Sequence, residues 1–326
     1  MKTNKVLKFY KEILGKIKPV ILDVGARNGV KNKFLNELAG NSLIKLILIE
    51  LDKNEAKKLK SPNIIVIDKA LWNKKGSRKV FFTKNKSYTS LLRPNEKVVK
   101  GSFYYDRSFY DIIKTSKINT TTINEIISEK KNKIKNIDFL KIDIQGAEGK
   151  IFQNFNKNNW NDLLGCETEA YSSQVYKNCN TIEFYFNKFY KNNFELFKIK
   201  NISSLIRTSY NNEKIYNDNY LGARPNTRFY RGKELTYDLI FFKNLQYLIK
   251  NPNIKKLRIY LFLLILYGYF DQAFYLLLIM RNKKIISKKI FLNLKNATQE
   301  ILSFSTHPLR KIKERFLLKN YTLKNI

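Results

Sequence analysis

The stretch Ile21-Leu22-Asp23-Val24-Gly25-Ala26-Arg27-Asn28-Gly29 decides how the rest of this chain reads. An apolar run carrying one acid ends in a glycine-punctuated turn, and an amphipathic segment follows, which reads as the first strand, loop and helix of a nucleotide-type α/β site. Glycine suits such a turn because the backbone must bend sharply and admit a ligand within van der Waals reach. Glycine turns are common, so the weight comes from Glu50. It closes the next apolar run, Leu46-Ile47-Leu48-Ile49, about twenty residues past Gly29, where such sites set a carboxylate against ribose hydroxyls.

What the loop lacks narrows the ligand. A dinucleotide fingerprint has glycine two positions after the first, so that backbone amides reach a pyrophosphate, but that position is Arg27. S-adenosylmethionine carries a ribose and an adenine without phosphate, and its sulfonium is cationic, so acids at strand ends suit it. The chain supplies four in order: Asp23, Glu50, Asp68 after Ile64-Ile65-Val66-Ile67, and Asp143 after Phe139-Leu140-Lys141-Ile142. Any one of them also reads as an ordinary strand-end or helix-capping acid. The ordered set is more specific.

Leu22-Asp23-Val24-Gly25-Ala26, Ile49-Glu50, Ala70-Leu71, Thr89-Ser90-Leu91-Leu92 and, above all, Ile137-Asp138-Phe139-Leu140-Lys141-Ile142-Asp143-Ile144-Gln145-Gly146-Ala147-Glu148 resemble the FkbM family of S-adenosylmethionine-dependent methyltransferases. Glu167-Thr168-Glu169 is similar to the acidic fifth strand of that family. The resemblance runs from about residue 18 to 245. It implies a class I methyltransferase (Rossmann-like) fold, a doubly wound α/β sheet that is mostly parallel with an antiparallel last strand at Leu235 to Phe242. It also implies S-adenosyl-L-methionine as cofactor and, from what the family tends to do, a sugar hydroxyl as acceptor in polysaccharide or glycolipid biosynthesis. Arg27 departs from the family's usual asparagine, and Ile123-Asn124-Glu125 from its leucine and paired aspartates. The segment beyond 245 has no counterpart in the family core.

Alternating strands and helices through residue 170 give a parallel sheet covered on both faces, whose ligands bind beyond the carboxyl ends of the strands. Cofactor contacts are therefore expected at Asp23, Gly25, Ala26, Gly29, Glu50, Asp68, Ala70, Ser90 and Asp143. Gly25 and Ala26 would offer backbone, Glu50 would take both ribose hydroxyls, Asp68 the adenine edge, and Ser90 would close over the site. Methyl transfer to a hydroxyl needs alignment and proton removal. Asp143 is the first candidate for general base, with Glu148 and Glu169 behind it. Glu148 also reads as a cap on the helix after Gly146. Arg207, Arg224, Arg228 and Arg231 would face the acceptor or form a solvated basic loop.

Composition bounds the remainder. The 326 residues divide into a catalytic domain, 1–245, and a basic helical extension, 246–326, and 44% hydrophobic residues suffice for a core. Two cysteines, Cys166 and Cys179, form no disulfide framework and point to a reducing, cytoplasmic setting. The lone His307 cannot build a zinc site or readily complete a triad, so no metal is assigned, although Asp143, Glu167 or Glu169 offer oxygen ligands of the kind magnesium takes.

The net charge of +35 is spread along a chain rich in lysine, asparagine, isoleucine and tyrosine, without an arginine-rich block, so nucleic acid is disfavoured as partner. A ribose hydroxyl of RNA remains the second acceptor reading, and a non-catalytic membrane-associated scaffold the third. Near the end, the apolar run Ile259–Phe270 is too short to span a bilayer, which takes roughly 20 residues. Joining it to Ala273–Met280 places Asp271 near the centre at a cost of at least about 2.5 kcal/mol. A buried helical hairpin packed on the catalytic domain is expected there. The basic flanks leave peripheral contact with the inner membrane face through 255–290 as the next reading.

Overall fold

The computed structural model describes residues 2–27, 33–61, 63–99, 107–130, 134–205, 209–210, 213–214 and 233–305. Its centre is a seven-stranded sheet in the order β3-β2-β1-β7-β8-β12-β9. The strands are β1 (Val20–Val24), β2 (Lys45–Ile49), β3 (Ile64–Ile67), β7 (Phe139–Ile142), β8 (Gly165–Tyr171), β9 (Phe194–Leu205) and β12 (Lys233–Lys243). The first five pair in parallel. β12 inserts between β8 and β9, antiparallel to both, as the sequence leads one to expect.

Period-two alternation sorts the side chains. Leu22, Val24, Ile47, Ile49, Leu140, Ile142, Cys166 and Ala170 join one apolar core with Ile151, Phe152, Trp160, Tyr185 and Phe189. Those last five come from helices α6 (Glu148–Gln153), α7 (Lys157–Asp162) and α8 (Ile182–Tyr190). Cys166 behaves there as a small buried hydrophobe. The starts of β1 and β7 are stapled by Asp138, whose Oδ2 accepts the Val20 amide at 2.7 Å.

A three-stranded sheet, absent from the sequence reading, stands beside this framework: β4 (Ala70–Leu71), β5 (Gly76–Thr83) and β6 (Ile112–Thr121) in the order β4-β6-β5. A short ladder, β10 (Ser209–Tyr210) with β11 (Glu213–Lys214), completes the strands. The other helices of this part are α2 (Lys33–Gly40), α3 (Lys53–Lys58), α4 (Glu96–Val99) and α5 (Ile123–Ser128). The departure at Ile123-Asn124-Glu125 is local: Thr122 and Glu125 form a capping box that starts α5.

The chain falls into two compact units, Pro19–Tyr247 and a helical unit of residues 1–18 with 248–326, so the first helix, α1 (Lys2–Leu14), belongs with the C-terminal helices. Its partners are α10 (Ile254–Leu266) and α12 (Lys288–Ser305), and α11 (Phe270–Asn282) packs on both of those; α9 (Leu245–Lys250) leads into the unit. Arg258 of α10 donates from Nε to the Ile13 carbonyl and from Nη2 to the Glu12 carbonyl, both at 2.6 Å, satisfying orphan carbonyls at the end of α1. Of the expected hairpin the turn itself is present, α10 turning into α11 at Gly268 with Leu257 and Ile259–Ile265 buried, and its helix partners are α1 and α12 of the same unit. Among the described residues no helix is long and apolar enough to cross a membrane.

Candidate active site

Register builds the site. Val24 stands level with Ile49 and Ile142, Ile49 with Ile67, and Ile142 with Thr168. The next residue on each strand, Gly25, Glu50, Asp143, Asp68 and Glu169, therefore emerges along one rim, although they are far apart in sequence. A pocket of about 310 Å3 opens there, and its walls include Gly25, Arg27, Glu50, Ala70, Ser90, Asp143 and Gln145.

Gly25 is where glycine is required. Its φ is +82°, and an added Cβ would lie 1.9 Å from the Asp143 carbonyl oxygen, so the β1 turn and the end of β7 meet at a distance only hydrogen permits. The amides of Gly25 and Ala26 both donate to the Ile49 carbonyl, at 3.0 and 3.2 Å. Ala26 is buried and does not line the pocket, whereas Gly25 does, so of the two residues expected to offer backbone to the cofactor Gly25 is the one on the pocket wall. Gly29 lies outside the described residues.

Glu50 is buried at the pocket wall, and its Oε1 accepts the Asp52 amide at 2.8 Å. Burial raises its pKa, opposed by that amide and by Arg27. Arg27 is an anchor: its Nη1 donates to the Lys86 carbonyl at 2.9 Å and its Nη2 stands 3.8 Å from Asp52. Across the pocket, Ser90 Oγ donates to the Gln145 carbonyl at 2.7 Å, which ties the segment after β5 onto the turn after β7.

Two assigned acids stand elsewhere. Asp68 is exposed and off the pocket wall, which Lys69, Ala70 and Leu71 form instead as β3 runs on into β4. Asp23 sits two residues short of the rim, level with Lys141, whose Nζ lies 2.9 Å from its Oδ1. Burial works against the Lys141 charge, but Asp23, Asp143 and Glu167 outweigh it and raise the pKa. Asp23 thus anchors a buried cation within the sheet. Glu167 is level with Lys141 in the same row.

Behind Asp143 lies a carboxyl cluster. Ligand oxygens of Asp143, Glu148 and Glu169 all fall within 4.8 Å of one another, so Glu148 rather than Glu167 completes the acidic group that a hard divalent cation would use. Gln145 is the hub that the sequence reading missed. Its Nε2 donates to Asp143 Oδ1 at 2.9 Å and to Glu169 Oε2 at 3.2 Å, while its Oε1 is 3.0 Å from Tyr176 Oη. Tyr171 Oη donates to Glu169, and Glu148 Oε1 accepts the Ile144 amide at 2.7 Å; Ile144 precedes α6, whose start carries no side-chain cap, so Glu148 braces the turn before the helix rather than capping the helix itself.

Burial, then the Asp143 charge, pushes Glu148 up to about 8, against the pull of the Ile144 and Gly146 amides, and raises Glu169 strongly. For both, burial favours the neutral form. Asp143 is the member of the cluster on the pocket wall. His307 and Arg207, Arg224, Arg228 and Arg231 lie outside the described residues.

The raised Glu148 pKa carries a stability signature. Between 4.5 and about 8 the folded chain keeps a proton that the unfolded chain has released, so stability falls as pH rises through that window. Glu148→Gln is expected to lessen this slope in melting temperatures taken from pH 5 to 8. A variant whose profile parallels the wild type would refute the assignment.

The pocket suits S-adenosylmethionine on three observations: a carboxylate wall at Glu50, a β1 turn that only glycine allows, and a second acid at Asp143 facing the same space. Losing Glu50, which would accept hydrogen bonds from both ribose hydroxyls, removes about 1.5 to 3 kcal/mol of binding. Glu50→Ala should therefore weaken S-adenosylhomocysteine binding about 10- to 100-fold in a calorimetric titration, and unchanged affinity would place the ribose elsewhere.

Comparison with known proteins follows the same direction. The methyltransferase FkbM domain matches residues 23–202. No curated protein matches the chain. Solved structures with distant likeness include a protein of Listeria monocytogenes described as an S-adenosylmethionine-dependent methyltransferase, at TM-score 0.32 and 10% identity over 73% of this chain and 99% of that one. Another is the plantazolicin methyltransferase BpumL with S-adenosylhomocysteine, at TM-score 0.32 and 12% identity over 74% and 83%. A third is the complex of the Haloferax volcanii Trm112 activator with a methyltransferase, at TM-score 0.30 and 6% identity over 74% and 91%.

Proposed function

Because the chain belongs to the FkbM methyltransferase family, we propose that it methylates a hydroxyl group of a sugar, in a polysaccharide or glycolipid precursor. S-adenosylmethionine, the cofactor of this methyltransferase, supplies when bound a methyl group already activated on a cationic sulfonium. The protein then has to align the acceptor oxygen and take its proton. A single observation carries the oxygen acceptor: Asp143 presents a carboxylate on the wall of the same pocket that Gly25 and Glu50 line. A neutral amine needs no base before it attacks, whereas an alcohol must give up its proton as the new bond forms.

Each residue then has a task. Glu50 holds the ribose, and Gly25 keeps the β1 turn against the end of β7. Asp143 orients the acceptor hydroxyl and accepts its proton, which is worth roughly 10²–10⁴-fold in rate. Gln145 holds Asp143 by one amide proton and is itself fixed by Tyr176. Burial of Glu148 and Glu169 favours their neutral forms and so limits further negative charge beside the base.

A sugar is favoured by what the family tends to do. The test is transfer of isotopically labelled methyl to glycosides, to lipid-linked glycans and to RNA in parallel. Label in a base-stable ether on a glycan is the expected result. Label confined to RNA ribose, or to nitrogen, would replace this reading.

A further inference from the structure

The helical unit carries a feature that the methyltransferase reading does not use. From Asp271 to Glu300 the chain has no intervening acidic residue, while Arg281, Lys283, Lys284, Lys288, Lys289 and Lys295 fall in that interval. Lys283, Lys284, Lys288 and Lys289 are all exposed around the turn from α11 to α12, and among the described residues none of them forms a salt bridge. The turn is well defined. The amides of Lys283, Lys284 and Ile285 donate to the carbonyls of Ile279, Arg281 and Met280 at 2.9, 3.0 and 2.9 Å, Lys284 takes φ +57°, and Ile286 is buried as an anchor. This is a left-handed helix stop, and it fixes four lysines at one tip.

Apolar side chains share the tip and the adjoining helix. Ala273, Leu276, Leu277 and Met280 form the inward stripe of α11, as a surface helix requires. The outward stripe breaks the rule: Tyr275 and Leu278 are each 50% exposed, and across the turn Ile290 and Leu292 are 42% and 43% exposed. Single exposed apolar residues are ordinary, but here they coincide with an acid-free basic tip.

We propose that the α11–α12 tip docks on an anionic lipid surface. Lysines meet the headgroups, and Tyr275, Leu278 and Ile290 enter the interface. Charge complementarity selects an anionic surface. The apolar residues select a bilayer over RNA, whose backbone offers them nothing. Attachment is peripheral, because no described helix can span. Each lysine brought near such a surface tightens partition by about fivefold, so the four act multiplicatively.

The test is flotation of the full chain with vesicles of phosphatidylcholine alone and with added phosphatidylglycerol. Binding to the mixed vesicles and not to the neutral ones is expected. Lys283→Glu with Lys284→Glu should weaken it on the order of 100-fold, and Tyr275→Ser with Leu278→Ser several-fold. Lys57→Glu with Lys60→Glu, an equal charge change on exposed residues of the other unit, should leave it within about twofold. Matched circular dichroism melts show that each variant folds. Failure to float, equal loss in the control pair, indifference to both tip variants, or a tip whose lysines instead govern RNA binding would each overturn the proposal.

Discussion

Asp143→Asn is expected to cut methyl transfer by about 10²–10⁴-fold while S-adenosylhomocysteine still binds within a few-fold of wild type. Asparagine keeps the carbonyl oxygen that accepts the Gln145 amide, so the turn after β7 should hold its shape. It cannot accept the hydroxyl proton, and neither neighbour replaces it. Glu148 and Glu169 are buried off the pocket wall, where burial favours their neutral forms over a base's charged one. Single-turnover kinetics beside a calorimetric titration separate the two quantities. Wild-type turnover in the variant would remove Asp143 from the chemistry. Lost binding with unchanged turnover at saturation would make it a cofactor ligand only.

Gly25→Ala should do more harm than any other single methyl group in the pocket. The added carbon would overlap the Asp143 carbonyl oxygen at 1.9 Å, a backbone atom that cannot swing away, and a left-handed φ costs a residue with a Cβ about 1–2 kcal/mol besides. Relief requires the β1 turn to part from β7, which displaces both Gly25 and Asp143 from the pocket they share. Cofactor binding should vanish and stability drop by a few kcal/mol, of the order seen for strained backbone sites. Gly40→Ala is the matched control, since a Cβ there meets nothing within 4 Å. Equal tolerance of both changes in thermal melts would contradict the close approach.

How far the sequence carried the structure depends on what each residue answers to. Apolar runs ending in acids made β1, β2, β3 and β7 legible, and with them the rim, because strand length and face follow from period two. Glu50 and Asp143, read from those runs, and Ala70 and Ser90, expected from the family resemblance, line the pocket. Asp23 does not, since it stands level with Lys141 deeper in the sheet, a register that no single strand records. Asp68 does not line it either: the chain turns into β4 and presents Lys69 to Leu71, a detour set by a small sheet whose longer strands, β5 and β6, read as polar surface.

Gln145 was within reach but passed over as a residue of the turn. It lies two positions past Asp143, and an amide is the group that can serve two carboxyls and a phenol together. Arg27, which departs from the family's usual asparagine, stands on the pocket wall and also ties the turn after β1 to Lys86 and Asp52. The grouping of α1 with the C-terminal helices rests on contacts such as Arg258 with Ile13, between residues too distant in the chain for any local pattern to reveal.

The central claim is that the rim where Gly25, Glu50 and Asp143 emerge is the cofactor site. The most direct measurement is a calorimetric titration of the purified chain with S-adenosylhomocysteine, with NAD as comparison. Saturable one-to-one binding of the first and none of the second is the result this account predicts. A folded protein that binds NAD, or takes up no S-adenosylhomocysteine at any concentration tested, would contradict it.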